Sequence, residues 1–228
     1  MSPTPPDWLD LLHLHTARFA DVVGDADLDA PVTFCPGWSV RDLAIHLGGV
    51  HQWAAHAVVA GRPDFRPEPP DDEGAGLAAW YRDSAAGLLD VLTTTPPDAP
   101  AWTLDERDPT AGFWRRRQVH ETTLHLWDAE QALGEPRPIA PWLAWDGVRE
   151  VAEVMYPRQV RLGRVAPVEP AVRLVAPDAD GDLVLGEGEP VVVRGRAEVL
   201  LRLLWHRVDA VEGIGSGAAA LLSAAVTP

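Results

Sequence analysis

The sequence predicts an α+β protein in which an N-terminal four-helix bundle, residues 1–140, is followed by a small α+β domain, residues 141–228. Three observations support this prediction. The chain has 228 residues, which suits one large or two small domains. Its first part carries four long stretches with apolar residues three or four positions apart, separated by proline-rich loops. After Pro141, short valine-containing runs alternate with turn signals, as is typical of strands.

The four helices of the bundle are bounded by start and stop signals. Their predicted ranges are about 7–23, 39–60, 76–93 and 111–133. Ser39 and Asp42 resemble a capping box at the start of the second helix. Gly134 and Pro136 are typical of a helix end after the fourth. The connecting loops are longer than an ideal bundle uses, so a simple up-down order is favoured but not required.

The second domain is predicted to combine helices with a small sheet. The predicted helices cover about 142–156 and 197–206, and the predicted strands cover 171–176, 183–185 and 190–194. The Asp-rich segment 178–182 is interpreted as a turn between the first two strands. Strands and helices that follow one another in this way are typical of an α+β domain.

The charge of the chain excludes several classes of function. There are 19 basic and 34 acidic residues, which give a net charge of −15. Nucleic acids and anionic membrane surfaces both attract basic proteins, so neither is an expected partner. All the basic residues are arginine. Schiff-base enzymes, pyridoxal-phosphate enzymes and P-loop phosphate binders need a lysine, so these classes are excluded.

The sequence also predicts where the protein resides. Its one cysteine, Cys35, cannot form an intrachain disulfide. Residues 1–10 lack the basic and apolar regions of a signal peptide, and no apolar run approaches the roughly 18 residues needed to cross a membrane. We therefore expect a soluble, cytoplasmic protein.

Two helices of the predicted bundle carry side chains that could bind a metal. His46 lies about 60° from Leu43 around the second helix, on its apolar side. On the fourth helix, Glu121 and His125 are four residues apart and so lie side by side, with Asp128 on the same strip. A buried carboxylate needs a partner. Two histidines, one carboxylate and an open fourth position form a common catalytic zinc shell.

The remaining histidines fit this interpretation less well. The segment His120–His125 resembles the zincin motif, but its two histidines are five residues apart, about 140° around a helix. His120 is therefore expected to face outward. His51 and His56 lie off the apolar stripe and are expected at the surface, whereas His15 faces inward. Cys35 is interpreted as a small buried apolar residue, with a ligand or nucleophile role as the alternative.

Three segments resemble the mycothiol-dependent maleylpyruvate isomerase family, which belongs to the DinB-like metalloenzyme superfamily. The first is CPGWSVRDLAIHL from Cys35 onward, the second is RQVHETTLHLWD from Arg117, and the third is VVVRGRAEVLLRLLWHR from Val191. They occur in the order that the family shows and cover most of the chain. The third segment carries His206 where the family usually has a small residue.

This resemblance implies a metal site and a reaction. It places the metal ligands at His46, Glu121 and His125, with zinc as the usual metal. Nickel carried over from purification is the other ion that we expect there. The resemblance implies mycothiol as the thiol cosubstrate, and Arg207 as an active-site arginine from the second domain. Mycothiol belongs to actinobacteria, which agrees with the arginine-only composition. A thiolate of this kind adds to a cis double bond and leaves in an isomerase, or stays attached in an S-transferase.

We therefore predict an enzyme that uses a low-molecular-weight thiol on a small electrophile. Arg82 and Arg207 are the candidates for binding an anionic substrate. A metal-dependent hydrolase that activates water, with Asp128 or His15 as base, is the first alternative. A metal-stabilised binding module without activity is the second. The expected partners are small molecules, and the chain is expected to be a monomer or a homodimer.

Overall fold

The protein is described by a computed structural model that covers residues 7–208, 219, 221, 224 and 226–228. The chain forms two compact units, of which the first ends at Arg137 and the second begins at Pro138. The first unit is a helical bundle and the second combines helices with a three-stranded sheet. The predicted fold class is therefore confirmed. Among the described residues, no helix is both long and apolar enough to cross a bilayer.

Four long helices build the first unit. They are α1 (Trp8–Asp25), α2 (Val40–Ala60), α3 (Leu77–Thr94) and α4 (Ala111–Ala132). Both α1 and α2 pack mainly against α3 and α4. Helices that follow each other in the chain, α1 with α2 and α3 with α4, therefore lie on diagonals. The long loops at 26–39 and 95–110 make these diagonal connections possible, and the bundle departs from the simple neighbour-to-neighbour order that was favoured.

The two helices that carry the predicted ligands start from braced loops. Ser39 and Asp42 form the predicted capping box at the start of α2, and Ser39 also pairs with Pro31 in an isolated β-bridge. Before α4, Thr110 forms a similar bridge with Pro100. These bridges fix where each helix enters the bundle. Helix α2 ends at Gly61, which adopts the left-handed conformation that glycine tolerates.

Helix α4 is buried on nearly all sides. Residues 122–130 are buried without interruption, although this stretch includes one histidine, two carboxylates and two threonines. The expectation that His120 faces outward is therefore wrong: it is only 7% exposed, and the ring of Trp8 from α1 lies 5.7 Å from its own. A helix with neighbours on two sides and a covering ring on a third has no solvent face. Its burial pattern consequently loses the helical period that the prediction used.

In its described residues, the second unit contains a sheet and three α-helices. Its strands are β1 (Val172–Ala176), β2 (Gly181–Leu185) and β3 (Val191–Arg194), in the spatial order β2-β1-β3. Strand β1 pairs antiparallel with β2 and parallel with β3. The helices are α5 (Pro141–Glu150), α6 (Tyr156–Arg161) and α7 (Ala197–Leu204). The single helix expected over 142–156 is instead two helices joined by a π-helical turn, Val151–Met155.

Candidate metal centre

Three side chains from α2 and α4 converge inside the first unit. Glu121 Oε1 lies 3.6 Å from His46 Nε2 and 3.4 Å from His125 Nε2. The three donor atoms all lie within 4.8 Å of one another. Glu121 and His125 are brought together by one helical turn, whereas His46 reaches them only because α2 packs on α4. The described residues therefore bring together the three side chains that the sequence proposed as ligands.

The two oxygens of Glu121 have different partners. Oε1 faces the histidines, and Oε2 accepts a hydrogen bond from the guanidinium of Arg117, one turn earlier on α4. Burial alone would raise the pKa of Glu121, but Arg117 and the two histidines hold it well below its usual range. The carboxylate is therefore ionised with Oε1 directed at the histidines. Arg117 was not among the predicted site residues, although its spacing of four from Glu121 is a detectable ion-pair signal.

Asp128 orients the second histidine. Its Oδ2 lies 3.0 Å from His125 Nδ1, and its side chain is fully buried. Burial alone would lower the pKa of His125, but Asp128 and Glu121 raise it to about 9. With Nδ1–H donating to Asp128, Nε2 remains the nitrogen that faces His46 and Glu121. This carboxylate–histidine arrangement is typical of metal-binding histidines, in which it fixes the ring orientation.

The site is open on the side of α2. The side chain of His46 is 36% exposed, compared with 13% for Glu121 and 9% for His125. Trp38, which precedes α2, packs against the His46 ring with 4.9 Å between ring centroids. The rings of His46 and His125 meet edge to face at 5.2 Å. A small molecule could thus approach the three donor atoms beside His46.

The three donors suit a divalent metal. Two imidazole nitrogens and one carboxylate oxygen are the protein ligands of many catalytic zinc sites. Ligand atoms on a tetrahedral zinc ion with bonds of about 2.0–2.1 Å are roughly 3.3 Å apart. The separations of 3.4 and 3.6 Å around Glu121 Oε1 are close to that value. His46, Glu121 and His125 could therefore hold one ion, and Asp128 would support His125 from behind.

The structure shows contacts of three other residues that the sequence analysis singled out. Arg82 on α3 forms a surface ion pair with Asp21, and its side chain is 51% exposed. Arg207 belongs to the second unit and donates a hydrogen bond to the carbonyl oxygen of Trp205. Their proposed roles in substrate binding stay predictions. Cys35 is half-buried, with its Sγ 3.9 Å from Asp128 Oδ2.

His15 forms a contact inside the bundle. As expected, it faces inward, and its Nδ1 lies 2.8 Å from the Thr123 hydroxyl of α4. Burial, followed by the charges of Arg18 and His120, lowers the pKa of His15 to about 4. A neutral, hydrogen-bonded histidine agrees with a structural role in the bundle.

Two other histidines are less exposed than predicted. His51 has no exposed surface at all, because it lies on the side of α2 that faces both α3 and α4. Its Nδ1 lies 2.8 Å from Gln118 Oε1, and its Nε2 lies 3.1 Å from the Tyr81 hydroxyl. His56 is partly buried and stacks on Phe65 at 4.8 Å. The expectation that both are surface residues is wrong, since α2 has packed neighbours over a wide arc.

We expect His51 to make stability sensitive to acid. Burial lowers the pKa of His51 to about 4 in the folded protein, although Gln118 and Glu121 oppose the shift, against 6.5 as the ordinary value. The unfolded chain therefore binds a proton first as the pH falls below about 6.5, and folding loses free energy down to about pH 4. Between pH 7 and 5 the loss from this group is about 2 kcal/mol. Urea unfolding at both pH values measures it.

A non-titrating replacement provides the comparison for His51. His51→Gln keeps an amide that can hydrogen-bond to Gln118 and Tyr81 while removing the proton site. Its free energy of unfolding should depend less on pH than that of the parent protein by about 2 kcal/mol over the same interval. An identical pH dependence in the two proteins would show that His51 does not stay neutral in the fold.

Asp128→Asn is expected to weaken metal binding without unfolding the protein. The amide cannot carry the negative charge that orients His125 and increases the basicity of its ring, so affinity for zinc should fall about 10- to 100-fold. Competition with a chromophoric chelator measures this change. Asp64→Asn, an exposed aspartate in the same unit, is the control. Unchanged affinity in Asp128→Asn together with a normal unfolding midpoint would contradict the positioning role.

Fold and site together define a helical-bundle protein with a candidate His–Glu–His metal centre between two of its helices. Residues 9–130 match the family model described as the mycothiol maleylpyruvate isomerase N-terminal domain. This segment is more than half of the 228-residue chain, so the protein belongs to that family. The family resemblance of the sequence is confirmed.

Two solved structures share the fold over almost the whole chain. One is the crystal structure of the mycothiol-dependent maleylpyruvate isomerase, with a TM-score of 0.64, 16% identity, and coverage of 91% of this chain and 90% of that one. The other is a histidine-to-alanine mutant of the mycothiol-dependent maleylpyruvate isomerase, with a TM-score of 0.60, 15% identity, and coverage of 92% and 89%. No curated protein matches the chain significantly. At this identity the likeness establishes the fold.

Proposed function

We propose that this protein is a metal-dependent enzyme that uses a low-molecular-weight thiol, mycothiol, on a small electrophile. The reaction is an isomerisation or an S-transfer, and zinc is the proposed metal. The observation that carries the proposal is the convergence of two histidine nitrogens and one carboxylate oxygen within 4.8 Å, in a family named for a mycothiol enzyme. Related solved structures of a mycothiol-dependent isomerase support the choice of thiol.

Each residue around the donors has a separate task in this proposal. His46 and His125 present Nε2, and Glu121 presents Oε1. Arg117 holds the other oxygen of Glu121, and Asp128 holds Nδ1–H of His125. When bound, a divalent cation would favour the thiolate form of an added thiol, which is otherwise a minority at neutral pH. The bundle thus needs to bind and orient the reactants, and to supply three ligands.

An external thiol is proposed because the described residues near the donors offer no activated nucleophile. The chain has one cysteine, Cys35, and its Sγ lies 3.9 Å from Asp128 Oδ2. Reactive cysteines usually lie beside cations, whereas a carboxylate neighbour does not stabilise a second negative charge. No serine in the sequence occurs in a nucleophile-elbow motif. A thiol cosubstrate accounts for both an open metal site and the lack of a protein nucleophile.

The proposal is tested by following the metal- and mycothiol-dependent conversion of a panel of small electrophiles, together with the concentration of free mycothiol. We expect turnover by the zinc-loaded protein and loss of at least about two orders of magnitude in Glu121→Gln, since the amide is a poor replacement for an anionic ligand. Glu135→Gln removes an exposed carboxylate of the same unit and serves as the control. Formation of a thiol adduct with equal consumption of mycothiol identifies an S-transfer, whereas formation of an isomerised product without net consumption of mycothiol identifies an isomerisation.

The same assay distinguishes the alternatives. Turnover that does not depend on added thiol would favour a metal-dependent hydrolase, in which the open position activates water. Equal rates in Glu121→Gln and the parent protein would show that the metal centre does not take part in the reaction. A zinc-binding protein that turns over none of the electrophiles with or without thiol would favour a binding module.

A further inference from the structure

A cavity of about 400 Å³ opens beside the ligand His46. It lies between α2, α3 and the loop 62–74, and all of these belong to the first unit. Its walls include Ile45, Val50, Trp53, Trp80, Pro67 and Glu68. This volume is within the range of small-molecule sites, which are concave and mostly apolar with a few polar groups. Because His46 lines it, a molecule in the cavity would lie next to the donor atoms.

Two consecutive glycines on α2 create the space for these walls. A glycine inside a helix costs about 1 kcal/mol relative to alanine, so a pair of them needs a structural reason. A Cβ on Gly48 would lie 2.3 Å from the Trp80 ring, and a Cβ on Gly49 would lie 3.2 Å from Pro67. Trp80 therefore rests directly on the helix backbone. The missing side chains let an indole and a proline ring reach α2 and leave the cavity between them.

The backbone of the loop that forms the outer wall of the cavity is hydrogen-bonded to side chains of α2. The loop 62–74 is largely exposed, yet Gln52 Oε1 accepts a hydrogen bond from Glu68 N at 2.7 Å. Gln52 Nε2 donates to Glu68 O at 3.2 Å. Trp53 is held by a 2.9 Å hydrogen bond from its indole N–H to Pro63 O. The Gln52 amide, the Glu68 backbone and the Trp53 indole N–H are thus hydrogen-bonded within the protein.

The charges at the cavity disfavour an anion. Among the described residues, no arginine lines it, and the acidic residue in its lining is Glu68. The chain as a whole carries −15 and has no lysine. A dicarboxylate such as maleylpyruvate could place one carboxylate at a metal on His46, but the other would lie near Glu68 and apolar walls, where a charge without a partner is costly. Tryptophan and proline rings instead favour a flat, apolar group through contact area and ring stacking.

We propose that this cavity binds the electrophilic substrate through an uncharged, apolar, planar group, aromatic or alkenyl, and thereby selects against dicarboxylates. The proposal rests on the thiol function proposed above and names its substrate class. His46 at one end of the cavity would place the reactive carbon of such a molecule near the thiol.

The test compares two ligands of the same ring and different charge. The binding of 2-naphthol and 2-naphthoate to the full-length, metal-free protein is measured by isothermal titration calorimetry, so that the carboxylate gains nothing from coordination. We expect 2-naphthol to bind at least about tenfold more tightly, since the anion would meet Glu68 and apolar walls. Tighter or equal binding of 2-naphthoate, or no binding of either ligand, would overturn the proposal.

Matched variants locate the binding in the cavity. Val50→Trp fills it and should weaken 2-naphthol binding at least about tenfold, whereas Val59→Trp, on the exposed side of α2, should leave it unchanged. Glu68→Gln tests the effect of the negative charge at the cavity. It adds no bulk, so its result does not depend on whether Val50→Trp folds. It should strengthen 2-naphthoate binding several-fold and leave 2-naphthol unaffected. Unchanged naphthol affinity in Val50→Trp, or unchanged naphthoate affinity in Glu68→Gln, would contradict the assignment.

Failure of the substrate class can be separated from failure of the thiol function. Thiol-dependent turnover that is faster on a dicarboxylate than on an uncharged planar electrophile would keep the thiol enzyme and overturn the substrate class. The predicted naphthol preference in a protein without thiol-dependent turnover would refute the thiol function and leave an apolar cavity beside a metal site.

Discussion

His46→Ala is expected to lower the affinity of the protein for zinc by more than about a hundredfold. Removing an orienting residue behind a ligand costs 10- to 100-fold, so removing one of three protein ligands costs more. After reconstitution and dialysis, elemental analysis should find about one zinc ion per chain in the parent protein, as expected for one three-ligand site. The variant should retain little of it.

A histidine away from the site is the control for this experiment. His13 is exposed on α1, and His13→Ala should bind zinc as the parent protein does. Reconstitution precedes the measurement because purification can strip a metal from an open site. Full zinc occupancy in a triple variant at His46, Glu121 and His125 would show that the metal binds elsewhere.

Arg117→Met is expected to destabilise the metal-free protein by about 3–5 kcal/mol. The side chains of Arg117 and Glu121 are only 5% and 13% exposed, so this substitution leaves a buried carboxylate without its guanidinium. That carboxylate then needs another cation, because an uncompensated buried charge is unfavourable. Zinc should restore part of the lost stability, since a bound divalent ion supplies positive charge and stabilises the folded state by mass action. Urea unfolding with and without zinc measures both effects.

The surface pair of Arg82 and Asp21 gives the comparison for Arg117. Their side chains are 51% and 74% exposed, so Arg82→Met should change the free energy of unfolding by no more than about 1 kcal/mol. If Arg117→Met is equally mild and zinc does not affect it, the buried pair does not hold Glu121 in the fold. This outcome would also weaken the proposed orientation of Oε1.

The ligand pattern could be predicted because helical spacing is local. Glu121 and His125 lie one turn apart in any α-helix, and the position of His46 beside Leu43 placed it on the packed side of α2. The capping box at Ser39 and the stop at Gly61 likewise depend only on neighbouring residues. The structure brings these three side chains together as their helical faces suggested.

The contacts that involve three helices could not be predicted in this way. His51 lies off the apolar stripe of α2, yet Tyr81 from α3 and Gln118 from α4 enclose it. His120 is covered by Trp8 from α1. Polar residues such as these reach the interior when another element supplies a hydrogen bond or a ring. Such a partner is invisible in the periodicity of a single helix.

The sequence by itself determined the class of the fold, the ends of α2, the three candidate ligands and the arginine-only, acidic composition. These features follow from residue type, spacing and capping, which act over a few neighbouring positions. Only the tertiary structure decided the diagonal order of the helices, the pairing of Arg117 with one oxygen of Glu121, and the cavity over Gly48 and Gly49. The physical reason is that packing and electrostatic contacts depend on which helices meet. Because the connecting loops are long, they allow several helix orders, and the burial of apolar surface in the whole unit decides among them.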